Sequence, residues 1–316
     1  MNSVVWVTGA HGFIGRHVAR AFADAGRTVA GIGHGAWPAV EAQKSGVSHW
    51  LNADIGSSNL STLRRLSGLP DVVVHLAGGS SVSSAIAQPR EDFHRTVSST
   101  VELFEWLRQE SPQTKVVTVS TAAVYGANNP GLIGEDAALN PYSPYGFHKM
   151  IMESICESYG ASYGVRAIVA RLFSVYGSGL KKQLLWDLCT KLLKDPNRTE
   201  LGGTGRELRD WVAANDAARI LSRMGPLATA EVPKVNVGTG VGTTVREVAQ
   251  HLIDVWRERH DAETLSFSGQ ARPGDPFSLV ASPQRLLQLG FTCNVPVHDG
   301  IARYVAWFKS LASMHG

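Results

Sequence analysis

The sequence is short of cysteine, of long apolar runs and of clustered charge, and each shortage closes off a class of function. Three cysteines among 316 residues, Cys156, Cys189 and Cys293, stand far apart with no C-x-x-C pair. That excludes a disulfide framework and a Cys-based metal site; reduced packing thiols in a cytoplasmic protein are expected, and no metal. No apolar run has the length of a membrane span. The first residues pass almost directly into a strand, Val4-Val5-Trp6-Val7, without a basic, cleavable leader. The expectation is a cytoplasmic protein with no membrane partner. The net charge of +3 is small for the length, and no run of Lys or Arg is interleaved with aromatics. Nucleic acid is therefore not an expected partner.

What is present is an alternation of strand-like and helical stretches, which argues for an α/β fold with a doubly wound parallel sheet. Val4–Val7 flows into Thr8-Gly-Ala-His-Gly-Phe-Ile-Gly15 and then a helix to about Ala25. Strand, glycine turn and helix form the context of a dinucleotide fingerprint. Gly9, Gly12 and Gly15 serve the tight turn, the approach of pyrophosphate and helix-on-strand packing. The second strand, Thr28–Ile32, is followed by Gly33-His34-Gly35. An NAD site usually carries an acid here, yet none occurs between Asp24 and Glu41, and Gly33 stands in its place. That leaves room for a 2′-phosphate met by His34, Arg16 or Arg27, so NADP(H) is favoured over NAD(H). A third strand, Val47–Leu51, leads to Asp54, a candidate acceptor for the adenine amino group, and a fourth, Asp71–Leu76, leads to Ala77-Gly78-Gly79. Glu91–Gln109 reads as one helix. Lys115–Val119 is a strand that delivers Ser120 and Thr121 at its carboxyl end, where ligands bind in open parallel sheets.

Tyr145 and Lys149, four residues apart, lie on one face of a helix that runs to about Tyr163. A nearby ammonium is expected to lower the phenol's pKa from its ordinary value of about 10 and make it a usable acid or base. Arg166–Leu172 is the next strand. Beyond Gly177 glycines, basic residues and shorter helical pieces dominate. Thr244-Val-Arg-Glu247 matches a capping box opening a helix with Val245, Val248, Ala249, Leu252, Ile253 and Trp256 on its apolar face. Gly300–Leu311 reads as a last amphipathic helix. The expected division is a dinucleotide-binding domain over 1–175 and a smaller, mainly substrate-binding α/β part over 176–316, from which some segments return to the first domain.

Thr8 to Gly15, His75-Leu-Ala77, Ser120-Thr-Ala-Ala-Val-Tyr-Gly126, Ser143 to Lys149, Arg171 to Gly177, Arg209-Asp-Trp-Val212, Asn236 to Gly240 and Arg272 to Pro276 together resemble the extended short-chain dehydrogenase/reductases, the nucleotide-sugar epimerases, dehydratases and 4-ketoreductases. The resemblance covers nearly the whole chain. It implies a Rossmann fold, with Thr121, Tyr145 and Lys149 catalytic and Lys149 also on the nicotinamide ribose. Cofactor contacts are implied for Gly9, His11, Gly12, Phe13, Ile14, Gly33, His34, Asp54, Ile55, Leu76, Ala77 and Gly78, as well as Tyr145 and Lys149. Substrate contacts are implied for Ser80, Thr121, Ser174, Arg209 and Arg272, the two arginines meeting the diphosphate of a nucleoside-diphosphate sugar.

The departures narrow the reaction. The 4,6-dehydratases have Asp-Glu after the catalytic Thr, where this chain has Ala122 and Ala123, so no dehydration is expected. The epimerase/reductases that act at C3 and C5 have a cysteine at the position of Ala123. What remains is hydride transfer at one carbon, most simply C4. The missing acid at Gly33 tilts the expectation toward a 4-ketoreductase, with a 4-epimerase that retains NAD as the alternative. Ser174 stands for a frequent Asn, and His148 for a small residue. The family's paired helices imply a homodimer. A dinucleotide-sensing protein without chemistry is the rival from another class, disfavoured because Thr121, Tyr145 and Lys149 are all present. A reductase of small ketones is a second rival, disfavoured because such a substrate needs no diphosphate clamp.

Overall fold

The computed structural model describes residues 3–127, 129–196, 199–258, 265–270 and 276–313. The chain forms two compact units. One comprises Met1–Gly126, Glu135–Leu172 and Ala217–Val237, the other Ala127–Gly134, Phe173–Asp216 and Gly238–Gly316.

The first unit is built on seven strands: β1 (Val4–Thr8), β2 (Thr28–Gly33), β3 (His49–Asn52), β4 (Val72–His75), β5 (Lys115–Thr121), β6 (Arg166–Leu172) and β7 (Lys234–Val237). Their order is β7-β6-β5-β4-β1-β2-β3, and every pairing is parallel. The order reverses at β1, which pairs with β2 on one side and β4 on the other. That reversal opens a crevice at the strands' carboxyl ends. Both faces of the sheet are covered, and the strands are nearly continuous apolar runs; all four residues of β4 are buried. Trp6 of β1 stacks on Trp106 with ring centroids 5.2 Å apart. Both indole N–H groups find serine hydroxyls, Ser67 at 2.9 Å and Ser61 at 3.0 Å, as buried indoles require.

The helices that matter for the site are α1 (Phe13–Asp24), α2 (Pro89–Phe93), α3 (Ser99–Glu110) and α4 (Pro144–Tyr163). The single helix expected over Glu91–Gln109 is interrupted: a π-helical turn, His94–Ser98, separates α2 from α3. The Thr100 hydroxyl donates to the Thr96 carbonyl at 2.6 Å there, an example of a side chain competing for the helix ladder.

That hydroxyl fixes the tautomer of His75, fully buried at the end of β4. Thr100 Oγ1 gives its proton to Thr96, so it accepts from His75 Nε2 at 3.0 Å. Thr8 Oγ1 accepts the N–H groups of Leu76 and Ala77, both at 3.1 Å, and donates to Nδ1 at 2.8 Å. Burial, with Lys149 nearby, pushes the His75 pKa down to about 3 from 6.5. Acid is expected to weaken the fold through this residue. The unfolded imidazole gains its proton near 6.5 and the folded one only near 3. Stability present above the first value is lost as pH falls toward the second, at about 1.4 kcal/mol per pH unit. His75→Gln should flatten that limb in urea-melting midpoints measured across mildly acidic pH; an unchanged limb would place the acid sensitivity elsewhere.

The second unit contains a four-stranded sheet. Leu208–Ala213 is flanked by Gly242–Thr244, Ser278–Leu279 and Ser174–Tyr176. The expected capping box is present: Thr244 Oγ1 accepts from Glu247 N at 3.1 Å, and Thr244 N donates to Glu247 Oε2 at 2.8 Å. Val248, Ala249, Leu252 and Ile253 of that helix are buried, as are Ile301, Tyr304, Val305 and Phe308 of the last one.

Candidate active site

The glycine turn joins β1 to α1 at the crevice. A Cβ on Gly15 would sit 2.2 Å from the Gly9 carbonyl, so only glycine lets the helix lie this close to the turn. Gly12 caps α1 without a side-chain acceptor for its first N–H groups. An exposed turn and an uncapped helix start fit a dinucleotide pyrophosphate, whose oxygens accept such donors. Phe13 and Ile14 supply the first turn of that helix, half-buried.

Beside it, the residues expected near the adenosine are tied to one another. The His11 ring packs on Trp37 and Trp50 with centroids 4.8 and 5.9 Å away, and its Nδ1 meets the His34 carbonyl at 3.3 Å. Burial lowers the His11 pKa. The Arg16 guanidinium lies 4.5 Å from the Trp37 ring, and its Nε donates to the His11 carbonyl at 3.0 Å. His34 Nε2 meets Asp54 Oδ1 at 2.9 Å, both side chains being exposed. The acid missing after β2 is thus met by one that arrives from the end of β3. Ile55, next to it, packs against the core. Arg27 does not belong here. It precedes β2 at the sheet's amino edge, whereas Gly33 and His34 follow from its carboxyl edge. Nearness in sequence to Gly33 does not bring it there, because a strand separates the two.

Thr121 is the last residue of β5, and its Oγ1 accepts from Ala123 N at 3.2 Å. Pro144 opens α4, and Ser143 caps it by accepting from Gly146 N at 3.2 Å. Proline in the first turn and a serine cap place Tyr145 at the helix start, facing Thr121. The Thr121 hydroxyl is close enough to act on the ionisation of the phenol. One turn on, Lys149 is 4 % exposed, and its Nζ donates to the Val119 carbonyl at 2.9 Å. Leu76, Ala77 and Gly78 follow β4, with the Lys149 ammonium beside Gly78 and the exposed Ser80 further along.

The electrostatics correct one expectation. The Tyr145 pKa is raised, not lowered: burial is the largest cause, the Thr121 hydrogen bond opposes it, and the Asp92 carboxylate adds to it. Lys149 does not acidify the phenol because burial weakens the cation itself, pushing its pKa down to about 8 against the opposing pull of Asp92, Glu153 and Cys156.

Sequence reasoning missed Asp92, which is 5 % exposed and meets His148 Nδ1 at 2.6 Å. The one signal was His148 itself, a large polar ring where a small residue was expected. Ser174 and Arg209 belong to the second unit, on neighbouring strands; Ser174 is in register with Trp211. Arg209 is half-buried and donates to the Leu208 carbonyl at 2.8 Å. Arg272 lies outside the described residues. No group of three or more metal-ligating side chains occurs among the described residues.

A family model described as the NAD dependent epimerase/dehydratase family matches residues 5–238. UDP-glucose 4-epimerase of Azospirillum brasilense is 32 % identical, the match covering 99 % of this chain and 94 % of that protein. The structure of MoeE5 in complex with UDP-glucuronic acid and NAD is 28 % identical with a TM-score of 0.85, covering 98 % of this chain and 100 % of that one. That of Thermus thermophilus UDP-glucose 4-epimerase complexed with NAD is 27 % identical with a TM-score of 0.84, covering 97 % and 99 %.

Proposed function

The chain belongs to the NAD dependent epimerase/dehydratase family, and we propose that within it this protein is a 4-epimerase of a UDP-hexose that keeps its NAD through turnover. One observation carries the reading: Tyr145 stands beside Thr121 at the mouth of β5, with Lys149 one turn below and proton-less Ala122 and Ala123 beside it. Such a site moves one proton on and off one oxygen and has no second acid to eliminate water.

The assignment favours the alternative of the sequence argument over its first choice, a 4-ketoreductase. That choice rested on the missing acid at Gly33. Asp54 puts a carboxylate against His34 at 2.9 Å, which disfavours a 2′-phosphate there by like-charge repulsion. The 32 % identity to a UDP-glucose 4-epimerase over nearly the full length supports the same reading. The NADP(H) preference is replaced by NAD in this proposal.

In the proposed mechanism the Gly9–Gly12 turn and the start of α1, with His11, Phe13 and Ile14, hold the pyrophosphate. His34, Asp54 and Ile55 flank the adenosine, and Leu76, Ala77, Gly78 and Lys149 line the nicotinamide end. A bound NAD would supply the hydride acceptor and donor for C4. Tyr145 takes the proton of the C4 hydroxyl and gives it back, while Thr121 holds the oxygen as its charge changes. Inversion requires the return to the opposite face of the sugar. Ser80, Ser174, Arg209 and Arg272 are assigned to the nucleotide sugar, so the second unit serves mainly the substrate and the first the dinucleotide. We also assign a homodimer through α3 and α4, which expose Val101, Phe147 and Ile151. No helix among the described residues is long and apolar enough to cross a membrane; a cytoplasmic place of action, with its free cysteines reduced, is part of the proposal.

The test is incubation of the purified protein with UDP-glucose and NAD, followed by chromatography. Conversion to UDP-galactose without net reduction of NAD is expected, and NAD should bind at least about tenfold tighter than NADP, a difference of about 1.4 kcal/mol. Stoichiometric consumption of NADPH on a 4-keto sugar would restore the ketoreductase.

A further inference from the structure

We propose that Asp92 and His148 form a buried acid–imidazole pair that acts as a positioning unit for the catalytic side chains, its carboxylate serving as the counter-charge to Lys149 beside Tyr145. This inference rests on the reading of Thr121, Tyr145 and Lys149 given above.

The pair is built in rather than incidental. Asp92 lies on the short helix α2, and His148 immediately precedes Lys149 on α4. Their side chains are 4 % and 13 % exposed and meet at 2.6 Å. The His148 ring is fixed edge-on to Phe93, with centroids 5.4 Å apart. The chain opposite has been cut away to admit the carboxylate. A Cβ on Gly79 would lie 1.7 Å from Asp92 Oδ1, and one on its neighbour Gly78 would lie 3.1 Å from Lys149 Nζ. Two adjacent glycines thus carry the acid and the ammonium on one stretch of backbone, whose Gly79 N–H is anchored on Thr96 Oγ1 at 2.8 Å.

Burying a carboxylate beside a reactive site is costly unless it is paired. The other acid close to Lys149, Glu153, is paired with a guanidinium: Arg171 meets it at 2.6 Å. Asp92 is paired with an imidazole instead, so its charge is not cancelled by a fixed cation. The groups that face Lys149 are Glu153 and Cys156 from its own helix, His75 from β4 and Asp92 from α2. Those that act on Tyr145 are Thr121 and Asp92. Asp92 is common to both. Its negative charge favours the ammonium of Lys149 and opposes phenolate at Tyr145, so it sets the pH at which Tyr145 can begin the cycle as a base.

The sign is testable. Removing the carboxylate makes the phenol easier to ionise and the ammonium easier to discharge, so both proton equilibria move to lower pH. In Asp92→Asn the Tyr145 ionisation, followed by phenolate absorbance with Tyr145→Phe as the blank, should move down by about one pH unit. The pH profile of kcat for UDP-glucose should move the same way. His148→Leu, which strips the carboxylate of its donor but keeps its charge, should move the midpoint the opposite way, and His148→Asn, whose amide can take the place of Nδ1, should return it. These two also serve if Asp92→Asn fails to fold. A midpoint and profile that stay at the wild-type pH in Asp92→Asn and His148→Leu overturn the proposal. Retained turnover in Tyr145→Phe overturns the underlying reading of the site instead, so the two failures are distinct.

Discussion

Tyr145→Phe is expected to lower kcat for UDP-glucose by about 10²–10⁴-fold, the range ascribed to a positioned acid or base, with little change in melting temperature. The substitution deletes one oxygen and keeps the ring, the serine cap and the Pro144 start of α4. What is lost is the hydroxyl beside Thr121. Even a hydrogen bond made by that hydroxyl would contribute only about 1 kcal/mol to folding, too little to move the melting temperature far. Dinucleotide affinity should persist, since the turn at Gly9 and the ammonium of Lys149 are untouched. Titration of NAD against the variant measures that directly. The combination identifies a residue that acts on the reaction and not on the fold. A rate within a few-fold of wild type would remove Tyr145 from the chemistry, and with it the account of the site.

The residues of this argument differ in how legible they were. Spacing places Tyr145 and Lys149 on one helix face, a local relation that the fold cannot undo, and the glycine turn and Thr121 upstream give that spacing its meaning. The glycine turn is read for the same reason: Gly15 at the start of α1 needs its missing Cβ against Gly9 of the turn, only six positions away. The sign of the Tyr145 shift was not legible, since burial is a property of everything packed around the phenol and outweighs one neighbouring charge. Asp92 was hidden because it meets His148 across 56 positions of sequence, and the space it fills exists only where the chain brings Gly79 alongside. The π turn at His94–Ser98 carries no periodicity of its own, so two helices read as one. Arg27 was misplaced because a strand's two ends are close in sequence but lie on opposite edges of the sheet.

Behind the site lies the contact with the largest expected effect on stability. Glu153, one turn beyond Lys149 on α4, meets Arg171 of β6 with side chains 2 % and 1 % exposed. Arg171 Nε donates to both Glu153 oxygens, at 3.0 and 3.2 Å. Its Nη2 donates to Glu153 Oε2 at 2.6 Å, and its Nη1 to the Tyr125 hydroxyl at 2.8 Å and the Glu135 carbonyl at 2.9 Å. Tyr125 passes its proton to Asn236 Oδ1 at 2.7 Å, and Ser120 donates to Glu153 at 2.5 Å. Burial alone would lower the Arg171 pKa, but hydrogen bonding and charge from Glu153 outweigh it and hold the guanidinium ionised.

Arg171→Met is therefore expected to cost roughly 3–5 kcal/mol, because it leaves an uncompensated carboxylate in the interior. The double variant Arg171→Met, Glu153→Met should be more stable than that single variant, since desolvation of both charges disappears together. Urea midpoints of the two variants and wild type give the comparison, with dinucleotide held at one concentration because binding shifts apparent stability. If Arg171→Met costs less than about 1 kcal/mol, the value of an exposed ion pair, then water reaches Glu153 and the floor beneath Thr121 is not dry. The desolvation that raises Tyr145 and lowers Lys149 would then lose its physical basis.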